Sequence, residues 1–234
     1  MAEIQAAAIV PRHIGFIVDG NRRWAKEHGL TIMEGHRQGY ANLETIARAA
    51  HRLGVDYVSA YVFSSENWKR ERSEVRDLMR LLTWVLKHEV KKFNNDGIQL
   101  RVVGSKLRIG KALLKAIHDA ESLTKDNNRG TLLMCLDYGG QQEIVDATKR
   151  IVADGIDPDK ITPELIGKYL YAPDIPAPDL IIRTSGEQRL SNFLLWESAY
   201  SELLFSDVYW PDFDEKQLKI AMAEYSKRQR RFGT

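Results

Sequence analysis

Apolar positions in this chain follow two rhythms. Short β-prone runs occupy residues 14–18, 57–63, 98–103, 132–136 and 180–182, with a sixth at 203–208. Between them, apolar residues recur every three or four positions. In 36–53, Tyr40, Leu43, Ala47, Ala50 and Leu53 share one face before Gly54 ends the run. In 73–94, Val75, Leu78, Met79, Leu82, Val85, Leu86, Val90 and Phe93 do the same. Further helices are expected over 107–124, 141–153, 163–171 and 214–230, and a short basic helix opens near Asn21 and runs to Gly29. Strands alternate with helices without a linker, repeat or low-complexity tract. This predicts an α/β fold: one domain over 1–234, with a mainly parallel central sheet of about six strands and helices on both faces.

Ligands of such sheets collect beyond the carboxyl ends of the strands, and the polar clusters fall there. Asp19-Gly20-Asn21 follows the first strand, Ser64-Ser65-Glu66-Asn67 the second, Tyr138-Gly139-Gly140 the fourth, and the segment from Arg183 to Asn192 the fifth. The first is an anion site in outline, because a glycine turn into a helix leaves backbone N–H groups facing one point. Asp19 would repel an anion there unless a cation stood between them, which suits Mg²⁺ bridging to a diphosphate; alternatively it simply caps the helix. The segment after the fifth strand offers Arg183 and Arg189, hydroxyls and a glycine, donors suited to a second diphosphate or simply a solvated loop.

Composition narrows the classes. A net charge of +2 among 234 residues argues against a protein built to coat nucleic acid. Cys135, the single cysteine, lies in an apolar strand, so no internal disulfide forms and a reducing cytoplasm fits. No apolar run approaches a membrane span, and the first residues lack a signal-peptide pattern. Several tempting motifs fail. Residues 104–112 resemble a phosphate-binding loop, but five residues separate the glycines and Ala112 replaces the hydroxyl. His88-Glu89 starts like a zinc-protease helix, yet Lys92 stands where the second histidine belongs. The basic run 227–231 suits a helix C-terminus. No two aspartates are adjacent, so the aspartate-rich metal motif of trans-prenyl diphosphate synthases is absent.

Longer segments carry a resemblance. HIGFIVDGNRRWA, GHRQG at 35–39, AYVFSSENWKR at 60–70, DLIIRTSGEQRLSNFLLWESAYSELLF at 179–205, WPDF at 210–213 and the terminal RRFG are similar to the cis-prenyltransferases, the undecaprenyl diphosphate synthase family, over 12–233. Ile32 departs from that pattern, occupying a position where many members carry an arginine that helps to hold the allylic diphosphate.

The resemblance implies condensation of an allylic diphosphate, usually farnesyl diphosphate, with successive isopentenyl diphosphates, each addition forming a cis double bond. The expected product is undecaprenyl diphosphate for a cell-wall lipid carrier, a shorter cis-prenyl diphosphate being the alternative. It makes Asp19 the essential carboxylate, with Ser64 and Asn67 near the reacting carbons. Gly20, Asn21, Arg22, Arg23, Trp24, His36 and Arg70 would surround the allylic diphosphate, and Trp68 would pack over the substrate. Arg183, Arg189 and Ser191 would form the isopentenyl diphosphate site, completed by Arg231 and Gly233 across a homodimer interface. Asp19 and Glu202 would hold Mg²⁺. Burial of about 0.8 kcal/mol per carbon calls for an apolar tunnel, for which Val62, Leu82, Val85 and Leu86 are candidates, although any of them could be ordinary core. The product would pass to a membrane, placing a cytoplasmic enzyme at its periphery. A non-catalytic subunit would lack Asp19 and the terminal arginine motif, both present, and a phosphate-ester hydrolase would need a nucleophile or two-metal cluster that the sequence does not offer.

Overall fold

The computed structural model describes residues 9–228. Six strands form one parallel sheet: β1 (His13–Ile17), β2 (Tyr57–Ser64), β3 (Ile98–Val103), β4 (Gly130–Tyr138), β5 (Leu180–Arg183) and β6 (Glu202–Phe205), in the order β3-β4-β2-β1-β5-β6. The helices are α1 (Asn21–Glu27), α2 (Ile32–Arg52), α3 (Arg72–His88), α4 (Val90–Asn95), α5 (Lys111–Thr124), α6 (Gly140–Ala153), α7 (Pro163–Lys168) and α8 (Glu215–Lys227).

Strand periodicity divides the core. Ile14 and Phe16 of β1, Val58 and Ala60 of β2, and Leu132, Met134 and Leu136 of β4 face a large cluster that α2, α3, α4, α5 and α8 cover. Ile17, Tyr61, Leu133 and Cys135 face the opposite way, under Phe193, Leu194 and the chain around Tyr171. There α6 is tied in by Glu143, which accepts hydrogen bonds from Tyr138 Oη and Tyr171 N. A register irregularity in β2 between Tyr61 and Phe63 turns Val62 and Phe63 toward the same large cluster.

Local chemistry moved several boundaries. The run expected over 73–94 breaks at Glu89 into α3 and α4, whose Val90 and Phe93 drop into the core. The helix expected from 107 begins at Lys111, because Gly110 is extended at its start. The sixth strand stops at Phe205, having only the four residues of β5 to pair with. The sheet reverses direction of growth at β1, with β2 and β4 on one side and β5 and β6 on the other. Loops leaving β1 and β5 therefore diverge around a crevice, the usual ligand position in such sheets.

Candidate active site

At that crevice a cavity of about 540 Å³ opens among Ile17, Val18, Asp19, Tyr61, Ser64, Glu66, Asn67, Arg70, Arg183, Ser191 and Asn192. Asp19 is its pivot. Its Oδ1 accepts from Gly20 N at 2.7 Å and lies 3.4 Å from Arg23 Nη2, while Oδ2 accepts from Arg183 Nη2 at 2.8 Å. The Asp19 backbone is locked to Thr184, whose hydroxyl donates to Asp19 O at 2.7 Å and accepts from Asp19 N at 3.0 Å. The capping alternative fails: no side chain caps α1. Gly20 is required, since its φ of +108° favours glycine and a Cβ would lie 2.8 Å from the Tyr209 ring.

Arg183 is buried, with a side chain only 4% exposed, and its other nitrogen donates to Arg189 O and to Ser191 Oγ at 2.7 Å. Its Nε has no partner. Ser185, Ser191, Asn192 and Leu194 all adopt positive φ in this loop. Such backbone is costly and collects at ligand-binding turns. Arg189 is more exposed and pairs with Glu187 Oε2 at 2.5 Å; the other Glu187 oxygen faces Arg23 at 3.4 Å.

The other wall is organised by Glu74, a residue the sequence motifs did not single out. Its carboxylate, 11% exposed, receives Arg70 at 3.1 Å and lies 3.9 Å from Arg22 and 3.5 Å from His36 Nε2. Helical spacing gave no signal for it, because Arg70 precedes α3 in extended backbone. Burial, and then Arg70, hold His36 down at about 4, so the ring is neutral at pH 7 and the contact with Glu74 is no ion pair. Asn67 Oδ1 accepts from Ser64 N at 3.1 Å, closing the 3₁₀ turn Ser65–Lys69.

Asn21 lies instead between helices: a Cβ at Gly39 would stand 2.3 Å from its Oδ1, and one at Gly35 as close to its backbone oxygen, so the GHRQG glycines serve the approach of α2 to α1. Trp24 donates to Asp212 at 2.8 Å and stacks on His28. Ile32 is exposed at the start of α2. Leu82, Val85 and Leu86 are buried, Leu82 and Leu86 within the large core cluster, against which half-buried Val62 packs. An open cleft of about 890 Å³ between α2 and α3 is lined by their neighbours, including Met33, Tyr40, Ala41, Leu81 and Trp84.

Two further expectations need correcting. Glu202 does not join Asp19 within one chain. It begins β6 opposite Leu180, itself opposite Ile14, at the amino edge of the sheet, and its carboxylate pairs with Arg228 at 2.9 Å. Asp19 lies five residues further along, roughly 16 Å at about 3.3 Å per residue. Nor does Trp68 face the cavity: its ring packs edge-on against Phe63 and its indole donates to buried Asp137. Arg231 and Gly233 lie outside the described residues.

The family described as "Putative undecaprenyl diphosphate synthase" matches residues 17–233. The chain belongs to the cis-prenyltransferase family. Relatives of this prenyl-transferring family include isoprenyl transferase 2 of Bradyrhizobium diazoefficiens, 47% identical over 95% of this chain and 90% of that protein. Another is a trans,polycis-polyprenyl diphosphate synthase of Thermobifida fusca, described as (2Z,6E)-farnesyl diphosphate specific, 44% identical over 96% of this chain and 81% of that protein. Lavandulyl diphosphate synthase from Lavandula x intermedia, solved with dimethylallyl diphosphate, superposes with a TM-score of 0.93 at 37% identity, covering 96% of this cis-prenyltransferase and 99% of that chain. No described helix is long and apolar enough to cross a membrane.

Proposed function

We propose that this cis-prenyltransferase joins an allylic diphosphate, with farnesyl diphosphate as starter, to successive isopentenyl diphosphates, and that it builds a long cis-polyprenyl diphosphate of undecaprenyl type. The carrying observation is the Asp19–Arg183 pair at the β1/β5 crevice, flanked by one arginine group on each side. Arg22, Arg23, Arg70 and neutral His36 bind the allylic diphosphate with the open amides after Gly20. Arg183, Arg189 and Ser191 bind isopentenyl diphosphate. Preorganised donors act where charge develops as the allylic C–O bond breaks, so they favour the transition state over the ground state. Ser64 and Asn67 align the isopentenyl double bond with the allylic carbon, and walls of Ile17, Val18 and Tyr61 limit water. The growing tail passes Val62, Leu82, Val85 and Leu86 toward the α2–α3 cleft.

Mg²⁺ suits Asp19. Among the described residues no three His, Cys, Asp or Glu side chains gather as a cage, and a single half-open carboxylate beside a diphosphate site fits an ion that takes one carboxylate plus substrate oxygens and waters. When bound, Mg²⁺ supplies charge neutralisation for the departing diphosphate.

This reading includes a homodimer in which Arg231 and Gly233 complete the isopentenyl diphosphate site of a second copy. The polyprenyl product then enters a membrane. Incubation of the purified protein with labelled isopentenyl diphosphate and allylic starters of graded length tests the reading. Chain extension from farnesyl diphosphate over several additions is expected; no incorporation with any starter refutes it.

A further inference from the structure

The loop 104–110 between β3 and α5 lies outside the cavity, yet it reaches the turn that carries Asn67. Arg108 Nη2 donates to Asp137 Oδ1 at 2.5 Å, and Trp68 Nε1 donates to the same oxygen at 2.8 Å. The guanidinium also lies 5.2 Å from the Trp68 ring centroid and points Nη1 at Ser65 O, 3.5 Å away. Asp137 sits near the end of β4 with φ of +51° and a fully buried carboxylate, whose Oδ2 has no partner. Its backbone oxygen accepts from Ser105 N at 3.2 Å.

An apolar contact would hold a surface turn with none of these costs. A buried carboxylate, half-satisfied and balanced by one arginine 47% exposed, is an expensive fastening. The left-handed backbone adds to it, and such expense collects where geometry must be exact to fractions of an ångström. The turn it fastens is Ser65–Lys69, bounded by Ser64 and Arg70, and four residues of this stretch line the cavity: Ser64, Glu66, Asn67 and Arg70.

We infer that Asp137 and Arg108 are positioning residues for prenyl transfer, which clamp Trp68 and Ser65 from behind and thereby hold Asn67 toward the Asp19–Arg183 pair, while Glu74 holds Arg70 independently. Neither touches substrate. Their effect passes through the turn, so it falls on turnover more than on binding, and this rests on the role proposed for Asn67. Trp68 is the lever of the clamp, with its ring in the core and its N–H on Asp137.

Trp68→Phe keeps an aromatic ring and removes the donor; Arg108→Met removes the charge that balances the buried Asp137 carboxylate, so both variants are compared per folded molecule. Each is expected to lower kcat per folded molecule about tenfold, with the KM of both substrates within threefold of the parent. Asp137→Asn keeps an acceptor for Trp68 and tolerates positive φ, and should retain at least a third of kcat. In an Asn67→Ala background, Trp68→Phe should lower kcat less than twofold further, whereas independent damage would multiply. Amide hydrogen exchange over residues 64–70 should accelerate at least fivefold in Trp68→Phe and Arg108→Met. Unchanged exchange across that turn, or losses that multiply with Asn67→Ala, overturns the clamp. If Asn67→Ala alone leaves turnover intact, the role of Asn67 fails, while the clamp itself still stands or falls on the exchange.

Discussion

Replacing Asp19 with alanine tests the centre of the site, and its consequences can be worked out in advance. A solvent-facing carboxylate could be removed at little cost, but Asp19 is the partner of Arg183, whose side chain is 4% exposed. A charge-assisted hydrogen bond contributes about 1.5–3 kcal/mol, and stranding one partner of a fully buried pair costs about 3–5 kcal/mol. Arg183 keeps Arg189 O and Ser191 Oγ, and Asp19 is 30% exposed, so water relieves part of the loss. The expected destabilisation is therefore about 1.5–3 kcal/mol, or roughly 3–12 °C in Tm at about 2–4 °C per kcal/mol for a chain of this size. Asp19→Asn should fall between the two proteins, since its amide oxygen still accepts. Inorganic pyrophosphate at about 100 times its Kd should return about 2.7 kcal/mol to either variant that still binds it. Turnover should drop at least about 100-fold, the scale of one preorganised electrostatic group. Calorimetry with and without pyrophosphate, followed by initial rates on the folded protein, reads both effects. A folded Asp19→Ala protein with turnover within threefold of the parent refutes the mechanism, and an unchanged Tm refutes the Arg183 pairing.

Arg189→Ala should raise the KM for isopentenyl diphosphate about tenfold, the equivalent of roughly 1.4 kcal/mol, while that for the allylic partner moves less than threefold; equal weakening in titrations of both substrates means the two diphosphates are wrongly assigned. Leu82→Trp should shorten the products, Val62→Leu should shorten them less, and Leu86→Ala should give equal or longer chains, because overpacking beside the tail costs about 1–3 kcal/mol; unchanged chromatographic lengths in all three active variants would return these residues to ordinary core. Stability should peak near pH 6.5. Burial holds the His13 and His36 rings down at about 4, below the unfolded 6.5, so the unfolded chain takes up protons first and stability falls as pH drops from 6.5 toward 4. Burial, then Glu143, lifts Glu197 to about 8, so stability also falls as pH rises from the unfolded value of 4.5 toward 8. Burial also lowers His51 and raises Glu143, so the histidines dominate between 4.5 and 6.5 and the buried carboxyls above it, Glu197 first among them. Urea unfolding across this range should lose about 1–2 kcal/mol between pH 6.5 and 8, and Glu197→Gln should remove most of that alkaline decline; a decline that survives undiminished would assign it elsewhere.

Much of the site was legible because its groups follow strand ends directly in the chain. Asp19 and Gly20 come one turn after β1, Arg183 ends β5, and parallel strands deliver both to one edge. Glu74 was less visible, since one carboxylate on a charged helix face looks solvated until Arg22, His36 and Arg70 converge on it from three elements. Asn21 reads as part of the diphosphate turn, yet the bare faces of Gly35 and Gly39 draw it against α2.

The alternation of apolar runs by itself determined the fold class, because side chains that must leave water at periods of 2 and 3.6 admit few architectures. Local sequence likewise determined the turn at Gly20 and the family, through segments of fixed spacing. Sheet order was decided only by tertiary packing. Nothing local to Glu202 says that its strand pairs outside β5, with its start at the edge remote from Asp19. The same holds for Arg183, whose charge could have pointed to solvent. Its burial against Asp19 came from strand pairing across 164 residues, and such a long-range neighbour carries no signature in the short-range pattern that sets each element.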